Sequence, residues 1–188
     1  MNNDVLKDDV LLSRFLHEQD ETAFKTLVNR YQRQLYNFVW RHIGQHEDVA
    51  DICQQVLIQV FRKAEQYRGE ASFKTWLYQI AINQCKNYYR SQARHPADPV
   101  DPAELIAQTE STAYELANSN EERRIFDQAI TCLPEKQRQT LYLHLYQDCS
   151  FQQVANIMGC PIGTAKANYH HAIQALRKRL KPEQANEP

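Results

Sequence analysis

Glycine is scarce in this chain, and long apolar runs are missing. Only 4 glycines occur in 188 residues, and few β-branched runs are present, so the composition favours helices. No apolar stretch approaches the roughly 20 residues that a membrane-spanning helix needs. The N-terminus is acidic and lacks the basic segment and small-residue cleavage site of a secretory signal. The sequence therefore predicts an all-α, cytoplasmic protein.

Motifs of metal, disulfide and catalytic sites are also missing. The 5 cysteines are widely spaced without a CxxC pair, which predicts packed thiols in a reducing compartment. A thiol or metal sensor built from His42, His46 and Cys53 would match no standard zinc spacing. There is no HExxH, no phosphate-cradling glycine loop and no nucleophile arrangement. We therefore predict no catalytic residue, no metal, no cofactor and no small-molecule substrate.

Charge is segregated along the chain, although the net charge is only −1. Residues 1–95 carry +2 and residues 121–181 carry +4, whereas residues 96–120 carry −5 and contain no base. Three prolines in that acidic stretch forbid a continuous helix. The pattern predicts two small helical domains at 1–95 and 121–181, a flexible acidic linker between them and a disordered tail at 182–188.

Apolar periodicity predicts the helices of both domains. In the first domain they are expected at residues 4–18, 21–43 (ended by Gly44), 47–66 and 73–92, with Ser72 as the N-cap of the last. In the second domain, one helix is expected to present Ile125, Phe126, Ala129, Ile130 and Leu133, and the next, after Pro134, to turn Leu141, Leu145 and Tyr146 inward.

The stretch 150–180 predicts a helix-turn-helix. Ser150 can cap a first helix, Gly159 breaks it, and Pro161 can begin the second. The second helix and its end contain five bases and no acid, so its polar face is expected to lie against phosphates and base edges. That face and its flank comprise Lys166, Ala167, His170, His171, Gln174, Arg177 and Lys178. A surface helix hairpin of a bundle would show the same periodicity.

A second candidate surface for nucleic acid lies between Tyr67 and Arg90. Its helix is expected to turn Phe73, Trp76, Leu77, Ile80, Ala81 and Tyr88 inward, and Thr75, Gln79, Ile82, Asn83, Lys86, Tyr89 and Arg90 outward. Aromatic rings interleaved with positive charge suit unpaired bases, because rings stack on bases while Lys and Arg follow the backbone. Ordinary amphipathicity with an exposed tyrosine would account for the same pattern.

Several motifs in this order resemble the extracytoplasmic-function (ECF) sigma factors of bacterial RNA polymerase, and most of all the sigma-E-like branch. The first domain supplies AFKTLVNRYQ (23–32), DICQQVLIQVF (51–61) and YRGEASFKTWLYQIAINQCKNYYR (67–90). The second domain supplies LPEKQRQTLYL (133–143) and VANIMGCPIGTAKANYHHA (154–172). One helix-turn-helix alone would be weak evidence, whereas two separate signatures joined by a suitable linker are strong.

The resemblance implies a transcription initiation factor that binds core polymerase, at its clamp helices and flap, and promoter DNA. The first domain would read and melt the −10 element through Tyr67, Arg68, Ser72, Trp76, Asn83, Lys86 and Arg90. The second would read the −35 element through Lys166, Ala167, His170, His171, Gln174 and Lys178. Core polymerase would bind Asp51, Gln54, Gln55 and Phe61. The resemblance also implies an anti-sigma factor, often membrane-anchored in this family.

Three positions depart from the family's pattern. Asn168 and His171 stand where the family usually has basic residues, and Gln55 stands where it commonly has Glu. The loss of two guanidinium groups removes phosphate anchors and one possible bidentate guanine contact. The −35 preference of other members therefore does not transfer to this chain.

Two other classes of function remain open at the level of sequence. A polymerase-independent helix-turn-helix regulator would bind duplex tightly as a dimer, but it would have no use for the base-trapping segment 67–90. A metal-dependent enzyme would need stoichiometric metal and activity that is lost when His42 or His46 is replaced.

Overall fold

The computed structural model describes residues 6–43, 46–94 and 120–180. These residues form eight α-helices and one 3-10 turn, and no strand occurs among them. They divide into two compact units, one built largely from the helices before residue 95 and the other largely from the helices after residue 119. The all-α prediction is confirmed. The predicted tail, Gly44 and all but the last residue of the predicted linker lie outside the described residues.

The first unit contains four helices. They are α1 (Asp8–Glu18), α2 (Glu21–Ile43), α3 (His46–Lys63) and α4 (Phe73–Arg94), with the 3-10 turn Ala64–Gln66 after α3. Asp4, where α1 was predicted to begin, lies outside the described residues, and α1 begins at Asp8 because Lys7 is still extended and occupies the N-cap. The third predicted helix was too long by three residues, which tighten into the 3-10 turn.

Helix α2 is the centre of the first unit, since it packs against α1, α3 and α4. Its inward face buries Leu27, Leu35, Phe38 and Val39 almost completely. Such a continuous apolar face supplies most of the stabilisation that a helix of this kind receives.

Two side chains of α4 that were expected to face outward are buried instead. Thr75 is 2% exposed and Ile82 is 0% exposed. Tyr78 and Cys85, which the periodicity assigned to neither face, are buried with them. The reason is that α4 packs against both α2 and α3, so its buried arc is wider than one amphipathic face. Trp76 and Tyr88, expected inside, are only half-buried.

The second unit also contains four helices. They are α5 (Asn120–Thr131), α6 (Glu135–Leu145), α7 (Phe151–Met158) and α8 (Ile162–Leu180), and α8 packs against α5 and α6. The core comprises Ile130, Leu133, Leu141, Leu143, Val154, Ala165, Ala172 and Leu176.

The orientation predicted for three residues of this unit was wrong. Ile125, Leu145 and Tyr146 are 45%, 44% and 38% exposed. In α6 the buried residues run consecutively from Gln139 to Leu143, so the middle of this short helix is enclosed all round and its last turn is left outside. Within the described ranges, no helix is both long enough and apolar enough to cross a membrane.

Candidate nucleic-acid interface

The first candidate surface begins at the loop 67–72, which we call the −10 loop. The hydroxyl of Tyr67 lies 2.6 Å from the carbonyl oxygen of Ala71, so one hydrogen bond links the two ends of the loop. Gly69 adopts a positive φ of 70°, a conformation that only glycine takes without strain. Arg68 is exposed and has no hydrogen-bond or ion-pair partner among the described residues. Its guanidinium group is therefore available to an anion.

Ser72 joins the −10 loop to α4 as predicted. Its Oγ accepts a hydrogen bond of 3.2 Å from the backbone N–H of Thr75 and lies 2.9 Å from the Thr75 hydroxyl. This geometry is that of an N-cap, which satisfies a donor left open in the first helical turn. The cap fixes where α4 begins and so fixes the position of Trp76 one turn later.

Trp76 brings the −10 loop and α4 together. Its ring centroid lies 5.3 Å from that of Tyr67 and 6.0 Å from that of Phe73. Burial and the acidic neighbour Asp9 raise the pKa of Tyr67 well above its usual range, so its hydroxyl stays protonated near neutral pH. The pair therefore offers two partly exposed rings next to a free guanidinium group.

Three predicted residues of α4 form a single stripe. Trp76, Asn83 and Arg90 are spaced by seven residues, which returns to nearly the same side of a helix after about two turns. Asn83 and Arg90 are exposed, and Lys86 is half-buried on the neighbouring row. From Trp76 to Arg90 the stripe is about 21 Å long at 1.5 Å per residue. The loop and this stripe form one continuous polar and aromatic surface.

Tyr88 and Tyr89 brace the far end of α4 against the last turn of α2 and the first turn of α3. Tyr89 donates a hydrogen bond to the carbonyl oxygen of His42, and Tyr88 donates one of 2.7 Å to Asp48. Burial, followed by the bond to Asp48, raises the pKa of Tyr88 to about 12. Tyr89 remains 42% exposed, so its ring is accessible although its hydroxyl is engaged.

The residues expected to bind polymerase share the outer face of α3. Asp51, Gln54, Gln55 and Phe61 are all exposed, Phe61 by 56%. Ile58 lies on the same face and is 41% exposed, which sequence reasoning missed. The apolar residues alternate with amides on that face. Sequence reasoning could have found Ile58 because an exposed Ile one turn before an exposed Phe forms an apolar patch.

Phe61 is held by two other rings. Its centroid lies 5.5 Å from that of Phe15 and 5.6 Å from that of Phe24, which are themselves 4.6 Å apart. Rings at such distances in tilted and edge-on orientations attract one another weakly. The outer face of α3 is therefore continuous with an aromatic cluster that includes α1 and α2.

The predicted helix-turn-helix is present in the second unit. Ser150 Oγ accepts a hydrogen bond of 3.2 Å from the N–H of Gln153, whose side chain accepts one of 2.8 Å from the N–H of Ser150. This reciprocal pair is a capping box. At the other end of α7, Gly159 has a φ of 63° and Cys160 donates a hydrogen bond of 3.0 Å to the carbonyl of Ala155. That bond and the left-handed Gly159 form a helix C-cap, as predicted.

Pro161, where the second helix of the motif was expected to begin, lies at the N-cap position directly before it. Its carbonyl oxygen accepts hydrogen bonds of 2.9 Å from Thr164 and 3.2 Å from Ala165. Beneath the motif, the ring of His144 stacks on Phe151 at 4.3 Å and meets Tyr169 edge-on at 4.9 Å. This three-ring contact joins α6, α7 and α8.

All six residues expected to read the −35 element are exposed on α8. They are Lys166, Ala167, His170, His171, Gln174 and Lys178. Three small or apolar residues on the opposite side, Ala165, Ala172 and Leu176, are buried and fix the rotation of the helix. The described part of α8 carries bases and no acid, so this face has a positive potential toward DNA phosphates.

Asn168 lies at the flank of that face and is half-buried. Its Nδ2 is fully buried and has no hydrogen-bond partner among the described residues. A short amide turned inward supplies no charge for a phosphate, so this position contributes no electrostatic anchor.

The predicted alternative of a metal or thiol sensor has little support in the geometry. Burial raises the pKa of the Cys53 thiol to about 11, which disfavours the thiolate that a metal or an oxidant needs. His42 is buried, and its Nδ1 lies 2.7 Å from the carbonyl oxygen of Phe38. The described side chains, which do not include that of His46, contain no cluster of three metal-binding residues.

Comparisons with known proteins find the same two-part pattern. The family model "Sigma-70 region 2" matches residues 27–95, and "Sigma-70, region 4" matches residues 123–176. The ECF RNA polymerase sigma-E factor of Haemophilus influenzae is 32% identical over 186 residues, covering 94% of this chain and 97% of that protein. The sigma-E factor of Escherichia coli K12 is 34% identical over 185 residues, covering 94% and 96%.

A solved structure shares the fold. The sigma factor RpoE of Bartonella quintana, crystallised with the anti-sigma factor NepR, has a TM-score of 0.68 and 23% identity, covering 86% of this chain and 98% of that chain. The two matched family regions include every candidate residue named above except Arg177 and Lys178.

Proposed function

Since the chain belongs to the ECF sigma factors of the sigma-70 family, it is a transcription initiation factor that binds RNA polymerase and directs it to specific promoters, and we propose that its two units divide this work. In the proposal, residues 1–95 bind core polymerase and open the −10 element. Residues 121–181 hold the −35 element as duplex. Residues 96–120 link the two and 182–188 form a tail.

The −10 loop and the α4 stripe take the unpaired strand. A flipped-out base would enter beside Tyr67, Arg68 and Ser72, with Asn83 offering an amide to its edge. Trp76, Lys86 and Arg90 would support the strand that follows. Two partly exposed rings 5.3 Å apart, next to a free guanidinium group, support this assignment, because aromatic stacking and cations together hold single strands.

The exposed face of α8 takes the −35 duplex in the major groove, with Lys166 and Lys178 near phosphates and Ala167, His170, His171 and Gln174 near base edges. The buried Nδ2 of Asn168 supports a readout with fewer phosphate anchors on that flank.

The outer face of α3 binds the clamp helices of core polymerase through Asp51, Gln54, Gln55 and Phe61, and the second unit binds the flap. Catalysis then belongs to the polymerase, and this chain contributes binding energy that lowers the cost of opening DNA. The absence of metal-ligand and nucleophile motifs in the sequence supports a role without chemistry of its own. The chain acts in the cytoplasm, where polymerase and promoter meet.

An anti-sigma factor, of the kind that is often membrane-anchored in this family, holds the chain inactive until a signal arrives. This part of the proposal is supported by a similar fold, that of the Bartonella quintana factor, which was crystallised with its anti-sigma factor.

The observation that carries the proposal is the presence of two different surfaces suited to nucleic acid in two units, one aromatic and basic and the other a basic helix-turn-helix face. Its test is a separation of function in reconstituted holoenzyme on one promoter. Asn83→Ala should bind the closed promoter normally and open it less, by about 5- to 150-fold if one base contact is lost. Lys166→Ala should weaken closed binding and leave opening of bound DNA unchanged.

Permanganate reactivity of unpaired thymines measures opening, and a filter assay at low temperature measures closed binding. The matched control is Asn37→Ala, an exposed asparagine on α2. Equal losses of binding and opening in Asn83→Ala would contradict the division of labour. Tight duplex binding by a dimer without polymerase would favour the independent regulator instead.

A further inference from the structure

The first turn of α1 is fixed to α2 independently of the −10 loop. The carboxylate of Asp8 accepts hydrogen bonds from the guanidinium group of Arg30 and the hydroxyl of Tyr31. Arg30 also donates a hydrogen bond of 3.1 Å to the carbonyl oxygen of Leu6. Leu11 is 0% exposed one turn later. The next residue, Asp9, therefore belongs to a helical turn that is held firmly against α2.

From this first turn of α1, the side chain of Asp9 reaches the −10 loop. Its Oδ1 accepts a hydrogen bond of 2.9 Å from the hydroxyl of Tyr67, a residue 58 positions away in the sequence. The same hydroxyl lies 2.6 Å from the carbonyl oxygen of Ala71. A phenol has one proton, so it is shared between the end of the loop and the carboxylate of α1.

The rest of the loop has few other restraints. Arg68, Gly69 and Glu70 are exposed, and the side chains of Arg68 and Glu70 make no hydrogen bond or ion pair with any described residue. Trp76 contacts the Tyr67 ring from the α4 side. At its far end the loop leads into the buried Phe73, whose ring lies 5.6 Å from that of Tyr31 on α2. At its near end, the Tyr67 hydroxyl is the polar group that joins the loop to α1.

We propose that Asp9 is a positioning residue for promoter opening, which holds Tyr67 and the −10 loop in the base-receiving conformation before DNA arrives. This inference rests on the proposed role of the −10 loop. A loop that is already ordered loses less conformational freedom when it captures a base, so binding in the open complex is tighter. Asp9 touches no DNA in this account and acts through the Tyr67 hydroxyl.

The test uses the full chain in holoenzyme, on a promoter whose start site has been mapped with the wild type. The probe is a fork-junction DNA with 2-aminopurine at the unpaired −10 position. Asp9→Ala should reduce capture of the unpaired base by about 3- to 10-fold, the range expected for one hydrogen bond. Binding to closed duplex and to core polymerase should not change. A variant that failed to fold would lose both, so unchanged binding shows that the variant is folded.

Two further variants identify the bond itself. Asp9→Asn keeps an acceptor oxygen and should restore most of the capture. Tyr67→Phe keeps the ring but also loses the bond to Ala71, so its loss of capture should be at least as large as that of Asp9→Ala. The double variant should be no worse than Tyr67→Phe alone, because the contact that Asp9→Ala removes is already lost in Tyr67→Phe. Glu18→Ala, at the exposed far end of α1, is the matched control and should behave as wild type.

Normal capture in Asp9→Ala, improved capture after removal of the negative charge, or additive losses in the double variant would each overturn the inference. Asn83→Ala separates this failure from failure of the −10 pocket. If Asn83→Ala loses capture while Asp9→Ala does not, only the positioning role is wrong. If neither loses capture, the pocket assignment is wrong and the positioning role fails with it.

Discussion

Lys166 offers a quantitative test of how α8 meets DNA. The residue is exposed on the first turns of α8, and its ammonium group has no ion-pair partner among the described residues. If it neutralises one phosphate, replacing it removes one released counterion. The slope of log K against log salt should then fall in magnitude by about 0.9. Between about 50 and 200 mM salt, this difference amounts to about 3.5-fold in affinity.

The assay is fluorescence anisotropy of closed-complex formation by holoenzyme on a labelled promoter, repeated over that range of salt. Arg179→Ala is the matched control, because Arg179 is an exposed cation about 220° around the same helix from Lys166. An unchanged slope for Lys166→Ala, or an equal reduction for Arg179→Ala, would refute the orientation of α8 on DNA.

Three further outcomes follow from the structure. Ile82→Ala should lower the free energy of unfolding by about 2–5 kcal/mol because the side chain is fully buried. Replacement of the exposed neighbour, Asn83→Ala, should change it by no more than about 0.5 kcal/mol. Urea denaturation followed by circular dichroism measures both. The raised pKa of Tyr88, about 12, implies a contribution to stability that is complete below its ordinary pKa of about 10 and is lost as the pH rises through about 12. Tyr88→Phe should therefore flatten the alkaline loss of the urea midpoint, and an unchanged profile would contradict the raised pKa of Tyr88. At pH 8, iodoacetamide should label the exposed Cys132 well before Cys53, because burial raises the pKa of the Cys53 thiol to about 11. Peptide mass spectrometry measures the order of labelling, and earlier labelling of Cys53 would contradict the unreactive thiol.

Local signals in the sequence were sufficient for the caps and turns. Ser72, Ser150 and Gly159 act where their side chains or backbone freedom predict, because a cap depends only on residues within one or two helical turns. The exposed face of α8 was predicted for a similar reason, since small buried residues at helical spacing fix the rotation of the helix.

Tertiary packing determines several buried side chains and one long-range hydrogen bond that hydrophobic periodicity does not predict. α4 packs against two helices, so Thr75 and Ile82 are buried although they lie outside a single amphipathic face. In α6 the enclosed residues run consecutively, which leaves no face to recognise and places Leu145 outside. The bond between Tyr67 and Asp9 joins two helices far apart in the sequence, and nothing local marks Asp9 as its acceptor.

The central claim is that this chain, with core polymerase, selects promoters and opens them. The most direct test adds purified chain to core polymerase and a genomic promoter library, and maps the 5′ ends of the transcripts. We predict defined start sites with a shared pair of elements upstream, and that Asn83→Ala forms the same complexes with core but loses most of these transcripts. A chain that binds core and yields no transcript from any promoter would contradict the account.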